Sequence, residues 1–255
     1  MKRSVIVAVS TLLVFTLYYL LITGIIPRPF KYSYEGISFL LFYLLCCIPP
    51  YIALKLIHKR NLIESVGLKR SPLRGFLYAL VCVLPMLLYA VVFGKWNSNS
   101  SLWYLFNATV IAGFFEELFF RGILMGQLFR YAKWGFVPSM LIASVIFGVG
   151  HIYQGADLVS SVLAGVVTGL GGLAFGWIYI ESNYNLWCNS FLHILMNFTW
   201  IAFPNSDNGS IGNVALNIVR LLTVIIAVIL IVVHKKRCKE PYFVNKRTLW
   251  VNQSK

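Results

Sequence analysis

The sequence predicts an all-α polytopic membrane protein, a bundle of about eight transmembrane helices. Two features of composition predict it: 59% of the 255 residues are apolar and only 12% are charged, which is unlike a soluble domain. The third is spacing, because the apolar residues form runs of roughly the 20 residues that a helix needs to cross a bilayer. The eight runs are 4–26, 36–56, 75–93, 102–120, 136–153, 158–180, 186–203 and 211–233.

The first run is expected to remain in the mature protein as helix 1. Lys2 and Arg3 precede it, as basic residues precede a secretory signal. Its apolar part, however, exceeds the roughly 7 to 15 residues of a signal core. It also ends at Pro27 without a small-residue cleavage site, so we count it as a spanning helix.

The basic residues behind the net charge of +14 are concentrated on one side of the predicted bundle, and their positions predict the orientation of the helices. Seventeen of the 22 Lys and Arg residues precede run 1, lie between runs 2 and 3 or runs 4 and 5, or follow run 8. Because basic residues accumulate on the cytoplasmic side, we expect a multi-pass cell-membrane protein with both termini in the cytoplasm. The basic side is expected to contact anionic lipid head groups, and nucleic acid is not expected as a partner. Arg220, inside run 8, is expected to reach the head groups through its long stem.

Two adjacent acids interrupt the apolar helical run at 102–129. An ionisable side chain inside a bilayer is costly unless it is paired or faces water, so Glu116 and Glu117 indicate a functional site. Residues four apart share a helix face, which lets Glu117 pair with Arg121 while Glu116 points elsewhere. A carboxylate without a cationic partner suits a general base. We therefore interpret Glu116 as the reactive acid and the Glu117–Arg121 pair as a clamp that fixes its helix.

Two further runs carry polar groups of the kinds that activate water and bind an oxyanion. His151 lies four residues after Phe147 in run 5, and Asn197 lies four residues after His193 on one face of run 7. Glu116 lies roughly 21 Å from the start of its run and His193 roughly 10 Å from the start of the antiparallel run 7, so the two can be level. His151 falls late in its run, nearer the outer face.

Each polar residue also has a structural interpretation, since intramembrane acids form ion pairs and His or Asn side chains bond neighbouring helices. On that interpretation the protein is a non-catalytic scaffold or regulator that binds a sensor kinase or another membrane protein. A proton-coupled transporter is a third class, but the sequence lacks matching broken helices in two halves. The combination of carboxylate, two imidazoles and an amide favours an enzyme.

Three separated motifs resemble those of the CAAX protease and bacteriocin-processing family of intramembrane proteases, which includes the Rce1-type prenyl endopeptidases. The family's Glu-Glu-x-x-x-Arg motif resembles 116–121, its Phe-x-x-x-His motif resembles 147–151, and its His-x-x-x-Asn motif resembles 193–197. Their order and spacing agree with the family, and no motif residue departs from it. Three motifs in order are a far more specific signal than one.

The resemblance implies hydrolysis of a peptide bond inside the membrane. Glu116, helped by His151, would deprotonate a water molecule, and His193 and Asn197 would donate hydrogen bonds to the oxyanion. The supporting residues would be Glu117, Arg121 and Phe147.

A second scheme for the same residues uses a metal ion. It places Zn²⁺ among Glu116, His151 and His193, because two His, one carboxylate and a water form an ordinary catalytic zinc set. The helical His-Glu-x-x-His signature of zinc peptidases is absent from the sequence, which favours the metal-free scheme.

We expect one integrated membrane domain. Helices 1–3 and a basic loop occupy 1–100, the catalytic core of helices 4–7 occupies 101–203, and helix 8 with a basic tail occupies 204–255. The resemblance implies a membrane-associated peptide or protein as substrate. Short loops and a chain of 255 residues favour the bacterial setting, in bacteriocin or signal-peptide maturation or self-immunity.

Overall fold

The structure is a computed structural model that describes residues 2–204 and 214–253. Within these ranges every predicted run is helical, and the first residues of run 8, at 211–213, lie outside them. A short helical turn, Leu62–Ser65, lies between the second and third helices. The long helices are α1 (Lys2–Thr23), α2 (Ser38–Ile57), α3 (Pro72–Phe93), α4 (102–130), α5 (Phe136–Val149), α6 (Leu158–Glu181), α7 (Leu186–Ala202) and α8 (Val214–Cys238).

Six of these helices are long and apolar enough to span a membrane by length and composition: α1, α2, α3, α5, α6 and α8, where α5 reaches the length together with the turns that follow it, as Phe136–Gln154. The two helices that fall short are α4, which carries the two predicted acids, and α7, which carries His193 and Asn197. α7 has only 17 residues, and α4 holds Glu116, Glu117 and Arg121 within its length. The helical membrane bundle is thus confirmed, and its two exceptional helices are those of the candidate site.

Side-chain caps fix where several helices begin. Ser71 and Ser101 each accept a hydrogen bond from the backbone N–H three residues ahead, at 3.3 and 3.0 Å, before α3 and α4. Asp157 and Ser160 form a reciprocal capping box at the start of α6, and Asn185 accepts from a backbone N–H at the start of α7. Such caps satisfy N–H groups that have no partner within the helix. They therefore fix the first residues of α4 and α7.

α4 is not a uniform α-helix. Wider π-type turns at Asn107–Ile111 and Leu118–Met125 flank the α-helical segment Ala112–Glu117. Turns of this kind rotate the side chains that follow them and are frequent at functional sites. The Asn107 amide donates to the carbonyls of Tyr34 and Gly36 at 2.7 and 2.8 Å, which ties the α1–α2 connection to α4.

Small residues bring α5 and α6 close together. A Cβ added at Gly148 would lie 2.5 Å from the carbonyl oxygen of Gly165, and one added at Gly172 would lie 3.1 Å from the Ser144 hydroxyl. Glycine removes this clash and lets helix backbones approach, as in other membrane bundles. The close contact holds the end of α5, and hence His151, against α6.

The segment after α8 packs against the bundle, which the prediction of a basic tail did not include. The buried Glu181 carboxylate accepts hydrogen bonds from the backbone N–H groups of Phe243 and Val244 and pairs with Lys235 Nζ at 2.6 Å. The carbonyl of Thr248 accepts from the first N–H of α5 at 2.7 Å. The segment therefore caps α5 with backbone groups that a sequence pattern does not reveal.

Candidate active site

A cavity of about 490 Å³ lies among α3, α4, the end of α5, α6, α7 and α8. All seven predicted site residues line this cavity, so side chains from α4, α7 and the end of α5 face the same space. They are Glu116, Glu117, Arg121, Phe147, His151, His193 and Asn197.

Glu117 is the centre of a buried polar network. Its Oε1 lies 2.9 Å from Arg121 Nη1, which is the pair that the four-residue spacing predicts, and both side chains are buried. His193 Nδ1 lies 2.8 Å from the same oxygen, and Asn189 Nδ2 donates to Oε2 at 3.3 Å. A buried carboxylate needs partners for both oxygens. Glu117 therefore joins α7 to α4 as well as fixing α4.

The Arg121 guanidinium lies between two aromatic rings, with its carbon 4.7 Å from the centroid of Phe147 and 5.4 Å from that of Phe175. Rings on both sides favour the cation and exclude water from it. Phe147 thus joins α5 to the acid network, a role that its place in a motif did not specify.

His193 lies between the two glutamates. A carboxylate can only accept a hydrogen bond, so Nδ1 carries the proton that is donated to Glu117. Nε2 then faces Glu116, whose Oε2 is 3.8 Å away. Both side chains are partly exposed to the cavity, at 14% for His193 and 20% for Glu116. With a proton on Nδ1 alone, His193 Nε2 is a hydrogen-bond acceptor, and with a proton on both nitrogens it is the donor that the resemblance implies.

His151 enters the cavity from beyond the last turn of α5. Its Nδ1 lies 2.7 Å from the Phe147 carbonyl oxygen, and its ring centroid lies 4.5 Å from that of Phe147. The hydrogen bond orients the imidazole and leaves Nε2 for another partner. His151 lines the same cavity as Glu116 and His193, although helical rise predicts a position for it nearer the outer face.

Two asparagines of α7 connect it to neighbouring helices. Asn197 Nδ2 donates to the Ala108 carbonyl at 3.2 Å, in the first π-type turn of α4. Asn189 Nδ2 also donates to the Phe175 carbonyl at 2.7 Å. Asn197 lines the cavity while Asn189 is fully buried beside Glu117, so the two amides of this face lie in different surroundings.

Exposed aromatic residues line the outer part of the cavity. Tyr34, Tyr104 and Tyr153 belong to the α1–α2 connection, the first turn of α4 and the segment after α5, which all lie at the end of the bundle opposite the chain termini. The buried part of the Tyr34 side chain raises the pKa of its phenol, and the charges of Tyr153 and Glu116 act in the same direction. The cavity thus has a buried floor at Glu117 and Arg121 and an aromatic mouth.

Arg220 also lines this cavity, which the sequence prediction missed. Its guanidinium carbon lies 3.9 Å from the centroid of the Trp200 ring on α7. The expectation of a contact with lipid head groups did not include this position against Trp200. Run 8 carries a partial signal for its inward face, because Asn217, Arg220 and Thr223 are spaced three residues apart and fall on one side of the helix.

The zinc scheme does not fit the arrangement of the side chains. Glu116, His151 and His193 do not bring their ligand atoms within 4.8 Å of one another. The hydrogen bonds of His193 Nδ1 and His151 Nδ1 would leave the two Nε2 atoms as the ligands, but the spacing of the three side chains does not bring those atoms together with a Glu116 oxygen. In the described part of the chain, the group that meets this spacing is His234, Cys238 and Glu240, which are exposed at the end of α8. We therefore derive no step through a metal ion.

The fold and the site define the class of protein: a multi-pass helical membrane protein that encloses two acids, two histidines and an amide in one cavity. Residues 97–199 match the family of Rce1-like type II CAAX prenyl endopeptidases. The chain therefore contains an Rce1-like domain, and all three motifs lie inside it. A comparison with curated proteins found no match. This match supports an intramembrane endopeptidase of CAAX type acting on a membrane-associated peptide or protein.

Proposed function

We propose that the protein hydrolyses a peptide bond of a membrane-associated substrate with a water molecule activated by Glu116. The observation that carries the proposal is the placement of Glu116 in the cavity, 3.8 Å from His193 Nε2, beside a second glutamate that is fully paired. Glu116 is the one of the two acids whose carboxylate is open to the cavity, so it can exchange a proton with water.

The proposed water lies between Glu116 and His193. Both groups accept hydrogen bonds, so the water donates one proton to each and its oxygen lone pair is directed at the scissile carbonyl. Glu116 takes one proton as the oxygen bonds to the carbonyl carbon. In this proposal His193 positions the water, and Glu117 holds the His193 tautomer that does so.

The negative charge that develops on the carbonyl oxygen requires hydrogen-bond donors. Asn197 uses one amide N–H for Ala108 and has a second for the oxyanion. His151 supplies the other donor through Nε2 when protonated. As the C–N bond breaks, Glu116 returns its proton to the leaving amine, so no covalent intermediate forms with the protein.

The substrate would reach this site from the aromatic mouth or from the bilayer. Basic residues favour a cytoplasmic location for both chain ends, which puts the mouth on the opposite face. An exported peptide or a signal-type segment within the membrane suits that geometry. Maturation of a bacteriocin or signal peptide, or self-immunity, is the proposed biological setting.

Comparison of cells that carry the wild-type protein with cells that carry Glu116→Gln tests this function. We expect peptide mass spectrometry of the membranes to find an uncleaved precursor only in the variant, because glutamine keeps the shape of the side chain but cannot take the proton. The variant protein must be present at the wild-type level. Identical peptide sets in the two strains, together with an unchanged phenotype, would support the scaffold instead.

A further inference from the structure

Arg220 is a cation inside the cavity, and none of the described residues places an anion beside it. In the part of the chain that the structure describes, its guanidinium makes no ion pair or hydrogen bond, and its contact is the Trp200 ring at 3.9 Å. The cavity's other guanidinium, that of Arg121, is paired with Glu117. A partly buried cation is costly in a membrane unless an anion or water compensates it. Arg220 is therefore a candidate for binding an anionic ligand.

The position of Arg220 separates it from the reacting groups. Trp200 lies seven residues after His193, or about 10 Å further along α7 toward the mouth. An extended peptide rises about 3.3 Å per residue, so a few residues connect the two positions. A substrate can thus reach both His193 and Arg220 at once.

The charges of the cavity restrict where a substrate anion can lie. Glu116 is an acid at the reacting end and repels a carboxylate, whereas Arg220 at the mouth attracts one. The planar guanidinium presents paired donors that match the two oxygens of a carboxylate, and Trp200 holds it by one face. The cavity is therefore polarised along its length.

We infer that Arg220 binds a carboxylate of the substrate and is a specificity-determining residue. The inference rests on the proposed endopeptidase function. Arg220 lies outside the residues 97–199 that match the Rce1-like family. This carboxylate is either the terminal group of the peptide or an acidic side chain near its end, and both present the same pair of oxygens to the guanidinium. Binding there fixes the direction in which the chain enters the cavity.

The test uses purified protein in liposomes and three prenylated fluorogenic CAAX-type peptides that differ only at the end. One has a free terminal carboxylate, one has a terminal amide, and one has a terminal amide with aspartate as its last residue. We expect wild-type protein to prefer the free acid over the plain amide by about tenfold or more in kcat/KM. Arg220→Gln should lower this ratio to about one, and Arg220→Lys should retain part of it.

Arg74→Gln, which removes an exposed cation at the opposite end of the bundle, is the matched control and should keep the wild-type ratio. If wild-type protein cleaves the aspartate peptide as well as the free acid, the site binds an acidic side chain. If it cleaves the aspartate peptide no better than the plain amide, the site binds the terminal carboxylate. The inference is overturned if Arg220→Gln keeps the wild-type ratio of kcat/KM between the acid and amide peptides. It is also overturned if that ratio depends only on the head group of the lipid in the liposomes.

A binding measurement separates this inference from the proposed function. If wild-type protein cleaves none of the peptides, the proposed function fails for substrates of CAAX type, and fluorescence anisotropy of the acid and amide peptides then decides the role of Arg220. In the Glu116→Gln variant, the peptide with a free terminal carboxylate should bind about tenfold more tightly than the amide peptide, and adding Arg220→Gln should abolish the difference. Equal binding of the two peptides in that background rejects the carboxylate site.

Discussion

Glu116→Gln is expected to lower kcat for peptide hydrolysis by about 10²- to 10⁴-fold, the usual contribution of a general base. The glutamine keeps the length of the side chain and can still hydrogen-bond, but it cannot take a proton from the water beside His193. The measurement is the rate of cleavage by purified variant and wild-type protein in liposomes, with the thermal unfolding midpoint of each protein.

Glu64→Gln is the matched control, because this acid-to-amide change falls on a side chain that is 65% exposed at the other end of the bundle. It should leave kcat at the wild-type value. A wild-type rate in Glu116→Gln would mean that another group is the base, and a large fall in its unfolding midpoint would show that the acid has a structural role.

Arg121→Met is expected to lower the free energy of unfolding by about 3 to 5 kcal/mol. The change leaves the Glu117 carboxylate buried without its cation, and the Arg121 side chain is only 4% exposed, so water cannot compensate. We also expect loss of activity, because Glu117 holds the His193 tautomer. Chemical denaturation in mixed micelles, followed by far-ultraviolet circular dichroism, gives the stability.

The exposed pair Lys69–Glu64, at 4.0 Å, provides the control for this result. Lys69→Met should leave the free energy of unfolding almost unchanged, since exposed ion pairs contribute little. Combining Arg121→Met with Glu117→Gln should recover part of the stability, because the double change removes both buried charges. Additive losses in the double variant would show that the two side chains act independently.

The sequence predicts the parts of the site that depend on spacing within one helix. Glu117 and Arg121 are four residues apart and form the expected pair, and the eight apolar runs are the eight long helices of the described chain. Helical rise also predicts that Glu116 and His193 lie level, and their side chains are 3.8 Å apart. Each of these results follows from the length of a helix and its rise per residue.

Contacts between helices are what the sequence does not predict. The bond from His193 to Glu117 depends on the rotation of α7 against α4, and the inward position of Arg220 depends on the rotation of α8. A few polar residues on a mostly apolar helix indicate a face of that helix, but they do not indicate which neighbour the face meets. The contact of the last segment with Glu181 uses backbone N–H groups, which every residue but proline possesses.

The most direct test of the central claim is a single turnover in H₂¹⁸O with enzyme in excess over peptide. If Glu116 activates water, the new carboxyl group of the product gains one ¹⁸O, and the peptide of the protein that contains Glu116 gains none. Mass spectrometry of the product and of the digested protein measures both. Label in the Glu116 carboxylate would mean that the acid attacks the carbonyl itself, and the absence of any hydrolysis by the wild-type protein would contradict the enzyme assignment.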